Sequence, residues 1–206
     1  GLADTRLPEV DALYLGGGFP ETHAARLAAN TGLHGALRAA VEAGLPVHAE
    51  CGGLIYLARS LRSEAGTHAF AGVLPLDLEL CARPEGHGYV ELTVDGANPF
   101  FAPGTELRGH EFHYSRIVGR RVPDDLATAF ALRRGTGCGG GRDGVVHKNL
   151  LACYTHLHAV GTPGWAPALT AAAQAHRRSR RSSGATVSET SLQSCSAELS
   201  PRTWQG

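Results

Sequence analysis

The segment around Cys51 has the residue types and spacing of a nucleophile elbow. The apolar run 45–50 reads as a short buried strand, the cysteine follows it directly, and an apolar helix pattern begins after it. Such a turn needs small residues two positions before and after the nucleophile, and Ala49 and Gly53 fill those positions. The free N–H groups at the start of the helix favour the thiolate, the reactive form of cysteine. The alternative is a buried, inert cysteine, which does not account for small residues on both sides.

A cysteine nucleophile usually needs a base, and two of the eleven histidines, His156 and His158, directly follow a predicted strand. The ends of parallel strands are where such sheets hold ligands, so a base is well placed there. Two histidines at positions i and i+2 could also bind a metal. Because no Cys or carboxylate cluster at ligand spacing completes a zinc site, we favour the base and predict no metal.

The glycine loop Gly16–Gly18 also lies between a predicted strand and a predicted helix. A dinucleotide fingerprint would need a third glycine at position 21, where this chain has Glu21. Glycines let backbone N–H groups approach a ligand closely. A loop N–H at Gly17 or Gly18, together with that of Gly52, could therefore hold a tetrahedral oxyanion above the thiol. The alternative is a plain strand-to-helix turn.

A third polar segment, residues 108–116, reads as a strand. On it Glu111, His113 and Ser115 alternate onto one face, where they would contact a substrate if that face borders a cleft. We count Tyr114 and Ser115 as candidate substrate contacts. The alternative is an exposed edge strand, which the alternation alone does not exclude.

The elements that must position these residues begin as an α/β pattern. Residues 10–15 and 45–50 read as strands, and residues 21–43 and 53–62 read as helices. This order implies right-handed crossovers and a mostly parallel sheet. Four extended segments separated by Gly and Pro follow, at residues 69–75, 77–82, 88–95 and 106–118. A further strand is predicted over residues 145–154 and a last helix over residues 165–176.

The composition of the chain changes at about residue 177. An Arg- and Ser-rich run begins there, and Ser, Thr and Gln dominate afterwards. Such a segment buries too little apolar surface to offset its ordering entropy. We therefore expect a folded domain over residues 1–176 and a disordered, low-complexity tail over residues 177–206.

Composition also argues against several classes of protein. The 206 residues are 43% hydrophobic with a formal net charge of zero, so nothing favours a nucleic-acid or membrane partner. No apolar run approaches the roughly 20 residues of a membrane span. Five cysteines at irregular spacing form no disulfide framework, which fits a reduced, cytoplasmic setting. The only lysine, Lys148, lies outside any Gly-Lys-Ser/Thr motif, so the chain has no ATP-binding P-loop and we predict no cofactor in it.

Four strings in the chain resemble a known family and occur in that family's order. They are Leu-Tyr-Leu-Gly-Gly-Gly-Phe-Pro-Glu, His-Ala-Glu-Cys-Gly-Gly-Leu-Ile-Tyr-Leu, Gly-His-Glu-Phe-His-Tyr-Ser and Tyr-Thr-His-Leu-His. They resemble the glutaminase domain of cobyrinate and hydrogenobyrinate a,c-diamide synthases, which is a class I glutamine amidotransferase domain. The resemblance covers about residues 8–176 and does not extend into the tail.

The resemblance implies a three-layer, flavodoxin-like α/β fold, here truncated at its N-terminus by one strand and one helix, which fits the absence of methionine from the chain. It implies Cys51 as the nucleophile and His156 as its base, in an enzyme that hydrolyses glutamine to supply ammonia. Ordinary triad amidotransferases carry a glutamate two residues after this histidine, where the chain has His158. We therefore expect either a Cys–His dyad or a substitute orienting group, for which Glu111 and His158 are the candidates.

The resemblance also implies partners outside this chain. In the family an ATP-dependent synthetase domain precedes the glutaminase, so Mg-ATP and a corrinoid acid, cobyrinate or hydrogenobyrinate, are expected to bind that missing domain. The ammonia would amidate the a and c carboxylates of the corrinoid in cobalamin biosynthesis, and the full-length enzyme is expected to form a homodimer.

Two other functions stay open on the residues alone. One is a catalytically silent interaction module with this fold. The other is a related amidase or cysteine hydrolase that acts on another amide.

Overall fold

The computed structural model describes residues 4–195, which form two sheets and four α-helices. The helices are α1 (Ala24–Ala28), which follows a 3-10 turn at Pro20–His23, α2 (Thr31–Glu42), α3 (Gly52–Leu57) and α4 (Trp165–Cys195). The strands are β1 (Leu13–Leu15), β2 (Val47–Glu50), β3 (Ser60–Ser63), β4 (Gly66–Ala69), β5 (Asp77–Leu80), β6 (Gly86–Val94), β7 (Glu106–His113), β8 (Ser115–Ile117), β9 (Ala127–Arg134), β10 (Arg142–His147), β11 (Leu150–Cys153) and β12 (His156–Leu157). The large sheet has the order β1-β2-β11-β10-β9-β6-β7-β12, and the small sheet has the order β4-β3-β5-β8.

The large sheet is mixed, and its parallel part is the β1-β2-β11 end. β2 pairs in parallel with β1 on one side and with β11 on the other, whereas the remaining neighbours in this sheet pair antiparallel. The prediction of a mostly parallel sheet is therefore right only for the strands at this end. The sequence pattern also predicts one strand over residues 145–154, but the chain reverses at Lys148, whose φ is 52°. The result is the antiparallel hairpin β10–β11, because a short turn can join only antiparallel neighbours.

The two faces of the large sheet carry separate apolar clusters. Val47 and Ala49 of β2 and Leu150 of β11 belong to the cluster that includes residues of α2, α3 and the small sheet. Leu151 and Cys153 alternate to the opposite face, where the first turns of α4 pack. The sheet is thus covered on both sides, which gives the predicted three layers.

α4 is longer than the sequence predicts. The predicted helix spans residues 165–176, whereas α4 runs from Trp165 to Cys195. The domain boundary at about residue 177 stays a prediction. The four arginines at the start of the added part are strong helix formers, and Arg177 and Arg180 pair with Asp11 and Glu9 near the start of the chain. The rest of the predicted tail, residues 196–206, lies outside the described residues. Within residues 4–195 no helix combines the length and the apolar character that crossing a membrane requires.

His48 lies in an aromatic pocket beneath the first turn of α4. It is 1% exposed, and its ring contacts those of Tyr14, Phe100 and Trp165 at centroid distances of 6.0, 5.5 and 5.8 Å. The indole N–H of Trp165 donates to its Nδ1 at 3.3 Å. Burial lowers the pKa of His48 to about 4, because the charged imidazolium loses its hydration there. This histidine therefore stays neutral in the folded chain.

We predict that His48 makes the fold sensitive to acid. Below the unfolded-state pKa of 6.5 the unfolded chain binds a proton that the folded chain takes up only near pH 4, so stability falls as the pH drops through this window. The expected cost is about 2 kcal/mol between pH 7.5 and pH 5. Urea unfolding at both pH values should show a smaller loss for His48→Gln, which keeps an acceptor for the indole, than for wild type. The exposed-site control His23→Gln should behave as wild type, and an equal loss in all three proteins would contradict the prediction.

Candidate active site

Cys51 lies on the turn between β2 and α3, as the sequence predicts. Its backbone has φ 45° and ψ −98°, a region that residues other than glycine rarely adopt and that costs about 1–3 kcal/mol. The amide of Cys51 donates to the carbonyl oxygen of Cys153 at 2.7 Å, which holds the strained residue against the end of β11. The side chain thereby leaves the direction of the strand, as a nucleophile elbow requires.

The glycines after the cysteine are required by close backbone contacts. A Cβ on Gly53 would lie 2.3 Å from the carbonyl oxygen of Leu15, and one on Gly52 would lie 2.7 Å from the backbone nitrogen of Gly18. No side chain fits at either position without moving the backbone of β1 or of the glycine loop. The predicted need for a small residue at position 53 is therefore a packing constraint between the elbow and β1.

The glycine loop, residues 16–18, lies against both halves of the site. The backbone of Gly18 contacts Gly52, directly after the cysteine. A Cβ on Gly17 would lie 2.3 Å from Cε1 of His156, so the loop backbone also lies against the edge of this ring. The structure thus brings together the predicted loop, elbow and histidine.

β7 contacts both the histidine and the thiol. His156 on β12 pairs with His110 on β7, and the two rings stack with centroids 4.8 Å apart and planes 12° apart. Two residues further along β7, about 7 Å along the strand, the carbonyl oxygen of Phe112 accepts a 3.7 Å hydrogen bond from the Cys51 thiol. One strand therefore contacts both the predicted nucleophile and the predicted base.

The Cys51 thiol is protonated in the resting site. The residue is 4% exposed, and burial, the largest cause, raises the pKa of the thiol to about 12. The N–H of Gly52 lowers this pKa, while the carboxylates of Glu21, Asp143 and Glu50 raise it further. The N–H group at the helix start thus favours the thiolate as expected, but α3 has only six residues and does not offset the loss of hydration. The thiol needs a base.

His156 is suited to accept that proton in its neutral form. Its side chain is 20% exposed, and burial is the main cause that lowers its pKa from 6.5. His110 and His113 lower the pKa further, and Asp143 raises it. The imidazole is therefore neutral at pH 7.

The structure does not place Glu111 beside His156, as the expected orienting role would require. Its carboxylate accepts hydrogen bonds from the amides of Thr136 and Gly137, at 2.7 and 2.8 Å, and lies 3.5 Å from Nε2 of His113. It ties the glycine-rich turn after β9 to β7, and none of these contacts involves His156. Strand alternation correctly places Glu111 and His113 on one face, but that face is buried.

His158 is also not placed to orient His156. It is exposed, and its Nδ1 accepts the amide proton of Val160 at 3.2 Å, within its own turn. The chain turns away from the site after the two-residue strand β12, so the two histidines do not continue along one strand face.

The two residues of the predicted substrate contact differ in their exposure. Ser115 is 1% exposed, and its hydroxyl is hydrogen-bonded to that of Tyr154 at 2.8 Å. It therefore bonds within the protein interior and is not available to contact a substrate. Tyr114 is half-buried and packs its edge against Phe112, next to the thiol. Of the two, Tyr114 alone remains a candidate contact.

Sequence reasoning missed Glu50, the residue directly before the cysteine. It is 2% exposed, and its Oε2 lies 3.8 Å from Nδ1 of His156 and accepts a 2.9 Å hydrogen bond from the hydroxyl of Tyr14. The available signal was a carboxylate at the end of an otherwise buried strand, where a charge needs a compensating partner.

We predict that the elbow tolerates no side chain at position 53. Gly53→Ala should lower the free energy of unfolding by about 1–3 kcal/mol, because the new methyl group overlaps the carbonyl of Leu15. The control Gly35→Ala lies in α2 with open space around its Cβ, and it should gain about 0.5–1 kcal/mol from the higher helix propensity of alanine. Urea unfolding measures both values. A Gly53→Ala protein as stable as wild type would show that the contact with β1 does not constrain the elbow.

Solved structures share this fold. The chain resembles a crystal structure of a glutamine amidotransferase with a TM-score of 0.57 and 22% identity, over 80% of this chain and 79% of that chain. It resembles PurLQS from Thermotoga maritima with a TM-score of 0.61 and 19% identity, over 85% and 84% of the two chains. At these identities the likeness concerns the fold, and it confirms the class I glutamine amidotransferase-like fold that the sequence predicts.

The sequence relatives share a higher sequence identity with this chain than the solved structures do. A cobyrinate a,c-diamide synthase of Magnetococcus marinus is 38% identical over 82% of this chain and 36% of its own length. Proteins of the same name from Archaeoglobus fulgidus and Halobacterium salinarum are 41% and 42% identical, over 76% and 78% of this chain and 34% and 36% of theirs. The chain thus spans about a third of the length of these relatives. The family model of the CobB/CobQ-like glutamine amidotransferase domain matches residues 1–163, and the chain belongs to that family.

Proposed function

We propose that this chain hydrolyses glutamine to glutamate and ammonia with Cys51 as nucleophile and His156 as base. The supporting observation is the arrangement of its three parallel strands. β1 leads into the glycine loop, β2 into Cys51, and β11 into the segment that carries His156, so one sheet edge gathers all three. Catalytic groups collect at such edges because the carboxyl ends of parallel strands meet there.

In the proposed reaction, Nε2 of His156 takes the proton of the thiol as the sulfur of Cys51 bonds to the side-chain amide carbon of glutamine. The backbone N–H groups of Gly52 and of the loop at Gly17 or Gly18 hold the oxyanion that forms. The imidazolium then returns the proton to the leaving nitrogen, and ammonia departs as the C–N bond breaks. Water attacks the thioester that remains, which releases glutamate and restores the thiol.

Because the thiol is buried and protonated, we expect the reaction to begin only after substrate has bound. With its pKa at about 12, Cys51 is protonated and unreactive until a base and an oxyanion site act together. A substrate amide bound beside the thiol supplies the carbon that the sulfur attacks as the proton leaves. The resting site is therefore protected from alkylation and oxidation, and we expect low basal turnover.

The wider reaction is proposed from the relatives. Their name, cobyrinate a,c-diamide synthase, states that they form a corrinoid diamide, and this chain spans about a third of their length. We propose that the ammonia made here is the nitrogen source for the amidation of a corrinoid acid, either cobyrinate or hydrogenobyrinate. In this proposal Mg-ATP activates the corrinoid carboxylates elsewhere in the longer protein, and glutamine hydrolysis itself consumes no ATP.

We predict that Cys51→Ala lowers glutamine hydrolysis by at least about 10³-fold, because the covalent route is lost. Alanine is smaller than cysteine and leaves the backbone hydrogen bond to Cys153 intact, so the melting temperature should change little. Glutamate and ammonia release under steady-state conditions, with and without Mg-ATP, is the measurement. Cys81→Ala, directly after β5, is the matched thiol control and should keep wild-type turnover. Hydrolysis at the wild-type rate by Cys51→Ala would exclude the mechanism.

We predict a broad pH optimum. A general-base reaction needs a neutral His156, whose pKa is lowered from 6.5, and a protonated Cys51, whose pKa is about 12. The value of kcat/KM should therefore rise with a midpoint below pH 6.5 and stay level through pH 9. A bell-shaped profile that falls between pH 7 and pH 9 would instead indicate a thiolate–imidazolium pair in the free enzyme.

A further inference from the structure

Glu50 is a buried carboxylate that the mechanism above leaves unused. It ends β2, it is 2% exposed, and it faces the side of the sheet opposite to Val47 and Ala49. A buried charge is costly unless hydrogen bonds or a charged partner compensate for it. Its partners therefore indicate what the carboxylate does.

Two donors fix the orientation of this carboxylate. The hydroxyl of Tyr14 donates to Oε2 at 2.9 Å, and the amide of Leu157 donates to Oε1 at 3.3 Å. Nδ1 of His156 lies 3.8 Å from Oε2. The two hydrogen bonds thus hold one carboxylate oxygen directly beside the predicted base.

His48 also lies near Glu50, with its Nδ1 3.8 Å from Oε1. That nitrogen accepts the indole proton of Trp165, so it carries no proton of its own and cannot donate to the carboxylate. The neutral His48 therefore carries its proton on Nε2, and of the two imidazole nitrogens described within 4 Å of Glu50, Nδ1 of His156 is the one that can donate to it.

The plane of the His156 ring is set by its neighbours. His110 stacks on one face at 4.8 Å, and the backbone of Gly17 lies against the Cε1 edge. Small movements within this plane change the distance from Nδ1 to Glu50. A separation of 3.8 Å is longer than a hydrogen bond, but catalytic contacts are often long in ligand-free sites and shorten when substrate binds.

Building on the function proposed above, we propose that Glu50 is the positioning residue for His156. Its Oε2 accepts a hydrogen bond from Nδ1–H, which fixes the tautomer whose free Nε2 lone pair receives the thiol proton of Cys51. The carboxylate also stabilises the imidazolium that this transfer creates. Glu50 thus supplies the acid that ordinary triad amidotransferases carry two residues after the histidine, where this chain has the exposed His158.

The substitution Glu50→Gln has a defined consequence. The amide of Leu157 donates to the Oε1 position, so the new side chain must keep its oxygen there and place its NH₂ at the Oε2 position. That NH₂ donates to Nδ1 of His156 and moves the ring proton to Nε2, while the Tyr14 hydroxyl rotates to accept. The base then presents a proton, rather than a lone pair, to the thiol.

The test is the ring tautomer of His156 in the full chain, read from ¹⁵N shifts in long-range ¹H–¹⁵N correlation spectra and assigned with His156→Gln. Wild type should show the Nδ1–H tautomer at pH 7.5, and Glu50→Gln should show the Nε2–H tautomer. In steady-state assays Glu50→Gln should lower kcat at least about tenfold and leave KM for glutamine within about twofold, because the carboxylate contacts the base and not the substrate.

Glu111→Gln is the matched control, since it also removes a buried carboxylate that accepts backbone N–H groups. It should leave the tautomer of His156 unchanged whatever it does to stability. An Nε2–H tautomer in wild type would overturn the proposal without any variant, even if Glu50→Gln fails to fold. Wild-type kcat in Glu50→Gln would overturn it while glutamine hydrolysis stands, whereas a wild-type chain that hydrolyses no glutamine would remove the proposed function itself.

Discussion

The hydrogen bond from the Cys51 amide to the Cys153 carbonyl is the contact on which the site depends. It extends the parallel β2–β11 pairing by one residue beyond Glu50, and it holds the cysteine in backbone angles that it would otherwise leave. The same strand end then continues to His156. One parallel register therefore sets both the direction of the thiol and the start of the segment that carries the base, and a slip of one residue would separate them.

Polar groups within the large sheet connect α4 to the site. Trp165 of α4 donates to His48 and packs its ring at 5.1 Å from that of Tyr14, whose hydroxyl in turn reaches Glu50. These buried contacts orient the rings that make them, although Nε2 of His48 has no hydrogen-bond partner among the described residues. The first turn of α4 thereby restrains the face of β2 that borders His156, although α4 itself lies on the side of the sheet away from α3.

The local parts of the site could be predicted from sequence, because they follow from local steric rules. A strand, a cysteine and Gly53 specify the elbow, and a strand followed by three glycines specifies a loop that approaches a neighbour closely. The features of the site that depend on contacts between distant segments could not be predicted. Alternation assigns Glu111 and His113 to one face correctly, but it does not show that Ser115 begins β8 in the other sheet or that all three residues are buried. The pKa of Cys51 likewise depends on burial by distant segments, which a helix start does not reveal.

The position of Glu50 has a consequence for how such a domain loses its activity during evolution. In the proposed mechanism the acid, the nucleophile and one oxyanion donor are the consecutive residues Glu50, Cys51 and Gly52, all held by the packing of one strand end. Selection for a folded sheet alone would preserve Gly52, which has no room for a Cβ, but neither the strained Cys51 nor the buried charge of Glu50. The base lies apart on the two-residue strand β12, stacked on His110. A descendant that has become a silent binding module would then keep the glycine and lose the strained cysteine and the buried acid, because both cost stability and serve only the reaction.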